Sequence, residues 1–193
     1  MRILGINASP RFGGNTDILL DKALEGGRSK GAETKKIILN DLKLSPCQEV
    51  EYEHIKDNGL SVIEDDMHLI YKNIEKTDSI ILASPIFFGS LTAQAKIMID
   101  RFQCVWLSKK VAGKNIFNKK KAGAFICVEA SKRNDFFQNA ASIVKNFFYT
   151  IDVHYKEELL YTGLDKKGAV WKHPDYLENA FNLGMKIAET LLT

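Results

Sequence analysis

Short apolar runs alternate along this chain with longer segments whose apolar residues return every three or four positions. Ile3 to Ile6 is one such run, ending at the polar Asn7. Thr16 to Lys30 then reads as a helix with Leu19, Leu20, Ala23, Leu24 and Gly27 on one face. Lys35 to Leu39 predicts a second strand. Ser79 to Ala83 predicts a third, apolar almost throughout, as strands covered on both faces of a parallel sheet are. Leu91 to Leu107 predicts a helix with Ala95, Met98, Ile99 and Phe102 on one face and a Lys96–Asp100 pair one turn apart. Ala122 to Val128 is a fourth strand, Asn134 to Tyr149 a helix, and Val153 to Tyr161 a fifth, more polar strand suited to an edge. Pro174 opens a final helix, apolar at Tyr176, Leu177, Ala180, Phe181, Gly184, Ile187, Ala188 and Leu191.

Strands alternating with helices predict a three-layer, doubly wound α/β domain spanning residues 1–193. With right-handed crossovers, the common arrangement for five parallel strands is the order 2-1-3-4-5, with its switch point between strands 1 and 3. The irregular part is Ser45 to Glu64, an insertion between strand 2 and a helix that starts near Asp65.

Composition narrows the classes of function. A length of 193 residues, 45% hydrophobic and 26% charged, is that of an ordinary globular domain that needs no disulfide or structural metal. The net charge of +3 is too mild for a nucleic-acid binder. The basic run Lys119-Lys120-Lys121 reads as a solvated strand entrance. Cys47, Cys104 and Cys127 are an odd number without paired spacing, which argues against a secreted disulfide scaffold. The N-terminal apolar run is too short for a signal peptide and no stretch approaches a membrane span, so a cytoplasmic protein without a membrane partner is expected.

The chemistry gathers at the strand ends. Strand 1 runs into Asn7-Ala8-Ser9-Pro10-Arg11-Phe12-Gly13-Gly14-Asn15-Thr16, at the switch point where ligands of such sheets bind. Ser9 and Thr16 bring hydroxyls, Asn15 an amide and Arg11 a charged fork, while Gly13 and Gly14 let the backbone come close. The helix start adds free N–H groups and the positive end of its dipole. Together they suit a phosphate, although a merely capped helix after a glycine turn fits the same residues. No G-x-G-x-x-G dinucleotide fingerprint or Gly-Lys-Ser/Thr phosphate loop is present, no cysteine stands in the loop, and strand 1 ends without carboxylates. Strand 3 ends in Pro85-Ile86-Phe87-Phe88-Gly89-Ser90, whose adjacent aromatics can wall a flat ring, one of the two being expected in the core. Strand 4 ends in Cys127-Val128-Glu129-Ala130-Ser131, a third rim loop in which Glu129 could equally be a surface charge or a cap.

Ser9-Pro10-Arg11, Gly14-Asn15-Thr16 and Ser84-Pro85-Ile86-Phe87-Phe88-Gly89 resemble the NADPH-dependent FMN reductase superfamily, which has a flavodoxin-like fold, and within it the iron–sulfur flavoprotein branch. The resemblance implies FMN phosphate at Ser9, Arg11, Gly14, Asn15 and Thr16, the isoalloxazine against Pro85, Ile86, Phe87, Phe88, Gly89 and Ser90, and a third contact from Glu129 to Ser131. It implies NADPH or NADH as a transient hydride donor, a small-molecule acceptor such as a quinone, and a homodimer or homotetramer. The aromatics Phe136, Phe137, Phe147, Phe148 and Tyr149, which exceed the needs of one helix face, are candidates for that interface, with core packing as the other reading. Against the branch's compact cysteine motif this chain has Pro46-Cys47-Gln48-Glu49-Val50-Glu51-Tyr52-Glu53, with Val50 and Glu53 where further thiolates would stand, so no iron–sulfur cluster is expected. Glu64-Asp65-Asp66 reads as a helix cap, and His54, His68, His154 and His173 show no metal-ligand spacing. An electron carrier between protein partners is the alternative function, and a module that has lost its flavin ranks third.

Overall fold

A computed structural model of the chain describes residues 1–48 and 58–190. Val50, Glu53 and His54 of the insertion and Leu191 of the last helix lie outside the described residues. Five strands, β1 (Arg2–Asn7), β2 (Glu33–Ile38), β3 (Ser79–Pro85), β4 (Lys121–Val128) and β5 (Val153–Tyr161), form one parallel sheet in the order β2-β1-β3-β4-β5. The helices are α1 (Asn15–Ser29), α2 (Met67–Lys76), α3 (Ala93–Asp100), α4 (Gln103–Ala112), α5 (Phe136–Thr150) and α6 (Pro174–Glu189).

Side chains alternate across the strands and so build two cores. Ile3, Ile81, Ala83, Ala124 and Ile126 face α1 and α6. Leu4, Ile6, Ile80, Leu82, Phe125 and Cys127 face α2, α3, α4 and α5. This is the predicted doubly wound sheet, with the polar strand β5 at its edge. On the first side α1 and α6 touch backbone to backbone. A Cβ on Gly184 would stand 1.7 Å from the Ala23 carbonyl oxygen, and one on Gly26 would stand 1.9 Å from that of Phe181. Only glycine permits this approach.

The predicted helix Leu91–Leu107 is two helices. α3 ends at Asp100, and Phe102 N–H turns to the Ile99 carbonyl at 3.0 Å before α4 begins. The break follows from Arg101, whose side chain is 1% exposed. Its guanidinium donates to the Ser45 carbonyl at 3.0 Å and to the carboxylate of Asp65, with longer contacts to Ser61 and Ile63. Arg101 therefore fastens both ends of the insertion to the junction of α3 and α4. Asp65 is more than the cap read from the sequence: its carboxylate accepts the N–H groups of Met67 (2.9 Å) and Ser45 (2.8 Å) as well as Arg101. Burial works to raise its pKa, but Arg101 and the two backbone donors outweigh this and hold it below the usual carboxylate value.

Two further expectations are corrected. Lys121 is not part of a solvated entrance. It is buried, its ammonium donates to the Lys119 carbonyl at 2.9 Å above the Phe117 ring, and burial pushes its pKa down. Nor are the α5 aromatics surplus to the core, because Phe137, Phe147 and Phe148 fill it, leaving Tyr149 exposed. β4, between β3 and β5, carries Gly123 beneath Phe148, so bulky rings fill the space a larger side chain would take.

Candidate functional site

The carboxyl ends of β1, β3, β4 and β5 share one rim, as parallel strands must. The first loop is held from below by Asp17, a buried carboxylate in the first turn of α1. Asp17 accepts the Asn7 side-chain amide at 2.8 Å and the Gly13 N–H at 2.9 Å. Asn7 in turn accepts the Ser9 N–H at 2.9 Å, and the Ser9 hydroxyl oxygen accepts the Arg11 N–H at 3.2 Å. A carboxylate here would repel an anion, but Lys36 of β2 reaches it at 2.9 Å. Burial acts to lower the pKa of Lys36, while its bonds to Asp21 and Asp17 prevail and raise it, so it stays charged. The anion-attracting features of the helix start are thus left uncancelled: the first-turn N–H groups, which have no intrahelical acceptor, the Ser9 hydroxyl and the Arg11 fork. Thr16, 2% exposed, brings a further hydroxyl to the same place. A Cβ on Gly14 would meet the Arg11 carbonyl at 2.9 Å, so the backbone can close up under a ligand only with glycine there.

Phe87 and Ser90 in the second loop exchange both backbone hydrogen bonds, at 2.9 and 3.1 Å, across Phe88 (φ 50°) and Gly89 (φ 78°). This is a primed two-residue turn, and it projects both aromatics outward. Neither Phe87, 40% exposed, nor Phe88, fully exposed, is the core residue expected from the sequence; Ile86 takes the inward place. α5 props the turn, with Asn139 donating to the Gly89 carbonyl at 3.0 Å and the Phe136 ring close against Gly89. Thr92 pins the two loops together. Its hydroxyl donates to the Ala8 carbonyl at 2.8 Å and accepts the Ala95 N–H that opens α3.

A bulky residue at positive φ costs stability. Phe88→Gly is therefore expected to stabilise the free protein by up to about 1 kcal/mol in thermal or urea unfolding, while weakening the binding of a planar ligand. An unchanged or lower stability would mean that the turn is not strained.

One cleft is lined by Ser9, Arg11, Gly14, Asn15 and Thr16 of the first loop together with Pro85, Ile86 and Phe87 of the second. Val128 and Ala130 of the expected third rim loop line it too, and Leu164, Asp165 and Lys167, which the sequence reading did not name, complete it. The signal was available, since the loop after a fifth parallel strand must reach the same rim, and Gly163 and Gly168 bracket a charged segment there. Phe88, Gly89 and Ser90 form the turn beside the cleft. Glu129 and Ser131 shape the third loop and are absent from the cleft wall. Glu129 is buried, with one oxygen accepting the Ser131 N–H at 3.0 Å and the other without a partner among the described residues. The Asn15 side chain is committed elsewhere than the expected phosphate. It donates to the carbonyls of Leu164 and Lys166, both at 2.9 Å, and accepts the Val170 N–H at 3.2 Å, leaving only its backbone N–H for a ligand.

The arrangement suits an elongated molecule with an anionic tail and a flat apolar body. An iron–sulfur cluster does not fit. The chain has three cysteines, fewer than the four a [4Fe–4S] cluster takes. Cys104 and Cys127 are buried in the core, where burial pushes their thiols up and disfavours the thiolate that ligation requires.

Three comparisons bear on this site. The NADPH-dependent FMN reductase family matches residues 1–154. An iron-sulfur flavoprotein of Methanocaldococcus jannaschii is 33% identical over 202 residues, covering 99% of this chain and 97% of that one. One of Methanosarcina thermophila is 34% identical over 132 residues, covering 68% of this chain and 65% of that one. Among solved structures, a flavone reductase superposes with a TM-score of 0.74 at 20% identity, covering 98% of this chain and 62% of its own, which is a likeness of fold.

Proposed function

This chain belongs to the NADPH-dependent FMN reductase family, and from that premise we propose that it is an oxidoreductase that holds FMN in the rim cleft and draws electrons from NAD(P)H. The observation that carries the reading is that Arg11 and Phe87 wall one cleft, which brings a cation for the tail and an apolar shelf for the ring to the same place. When bound, FMN supplies the redox chemistry, taking up a hydride equivalent and passing the electrons on.

The residues of the chain bind, orient and exclude water. Ser9, Thr16, Arg11 and the first-turn N–H groups would hold the phosphate. The Pro85–Phe87 shelf would cover one face of the ring, and the other would stay free for the nicotinamide and then for a small acceptor such as a quinone. No side chain need serve as nucleophile or general base. The reading includes no step through an iron–sulfur cluster. It also includes a second copy of the chain, for which the exposed rings of Phe88, Trp106 and Tyr149 are contact candidates.

Anaerobic mixing with NADPH, and separately with NADH, tests the proposal. The visible flavin band is expected to bleach with at least one of them. A bound flavin that neither donor bleaches would instead indicate a carrier reduced by a protein partner.

A further inference from the structure

We propose that the loop after β5 is a built part of the anion end of the cleft, with Lys167 supplying a second cation to a phosphomonoester and Asn15 acting as the residue that positions it. This rests on the reading that the cleft takes a phosphate-tailed flavin.

The loop is fixed at both ends. Leu164 and Val170 are buried in the core beneath α1 and α6. Between them Asn15 clasps it with three hydrogen bonds, to the carbonyls of Leu164 and Lys166 and from the Val170 N–H. Arg11 adds a fourth tie, donating to the Asp165 carbonyl at 3.2 Å. This clasp sets Lys167 over the first loop. Its Nζ and Cε lie 3.7 and 3.5 Å from where a Cβ on Gly13 would stand, and it lines the cleft with Ser9, Arg11 and Thr16. Thr16, almost fully buried, lines the same cleft beside Lys167 and brings a hydroxyl to it.

Charge bookkeeping agrees. A phosphomonoester carries roughly −1.5 to −2 at neutral pH, and Arg11 alone would leave it under-neutralised. Lys36 is engaged by Asp17 and Asp21, and Asp165 on the loop adds an opposing acid, so Lys167 is the second cation that reduces the deficit. The loop also lies beyond residues 1–154, the part of the chain that the family match covers.

The test is flavin fluorescence quenching on the flavin-stripped full chain, with FMN and with riboflavin, for the wild type, Lys167→Met, Lys167→Arg and Asn15→Leu. Lys167 is exposed, so its variants are expected to fold. Lys167→Met should weaken FMN about tenfold, the worth of one charge-assisted contact, leave riboflavin unchanged, and flatten the salt dependence of FMN binding. Lys167→Arg should retain most of the affinity. Asn15→Leu should reproduce the FMN-selective loss, and adding Lys167→Met to it should cost little more. A Lys167→Met that weakens both flavins equally, or neither, overturns the inference while leaving the FMN reading intact. A wild-type chain that binds neither flavin overturns both.

Discussion

Arg101→Met is expected to lower the unfolding free energy at neutral pH by about 3–5 kcal/mol, the usual cost of removing one partner from a buried ion pair. The magnitude follows from what is left behind. Asp65 would remain almost fully enclosed with its charge unpaired, and the carbonyl of Ser45 would lose its donor. The pH dependence gives a sharper signature. In the wild type the folded pKa of Asp65 lies below its ordinary value of about 4. The pair's stabilisation is therefore present above that pH and is lost as pH falls through the folded pKa. In the variant the buried, unpaired carboxyl has its pKa raised, so protonation relieves it. The gap between variant and wild type should narrow as pH is lowered through about 5 to 4. Adding Asp65→Asn, which keeps an acceptor for the Met67 N–H, should recover a large part of the loss. Urea unfolding at neutral and acid pH measures all of this, and a loss below about 1 kcal/mol would contradict Arg101 as the cause of the break between α3 and α4.

Gly184→Ala should be nearly as damaging, at about 3 kcal/mol or more. The neighbour here is backbone, the Ala23 carbonyl 1.7 Å from the new Cβ, so no flexible side chain can turn aside. The sign is diagnostic. In a helix free of such contact, alanine is better than glycine by about 1 kcal/mol, so a more stable Gly184→Ala would mean that α1 and α6 do not meet this closely. Because relief requires α1 to shift, and the first turn of α1 carries Asn15 and Thr16, the same variant is expected to retain less flavin.

The layer order, the strand alternation and the rim position of the first two loops were legible because each rests on local pattern. Apolar runs such as Ser79–Ala83 can only be strands covered on both faces, and a glycine-rich, hydroxyl-bearing loop at the end of β1 has few uses. What the sequence hid was the partnership of residues far apart in the chain. Arg101 reads as a polar position on a helix until Asp65 is seen beside it, and Lys121 as one more surface charge in a lysine run. One of Phe87 and Phe88 reads as core until the turn geometry at Phe88 and Gly89 directs both outward. Asn15 offered an amide at the right place for a phosphate, and nothing local showed that a loop some 150 residues later would claim it.

The most direct test of the central claim is the flavin content of the purified chain, read from its visible spectrum and from the flavin released on denaturation. The account predicts a yellow protein holding FMN in stoichiometric amount, or a stripped protein that takes up FMN with sub-micromolar affinity and riboflavin far more weakly. A colourless protein that takes up no added FMN would contradict it.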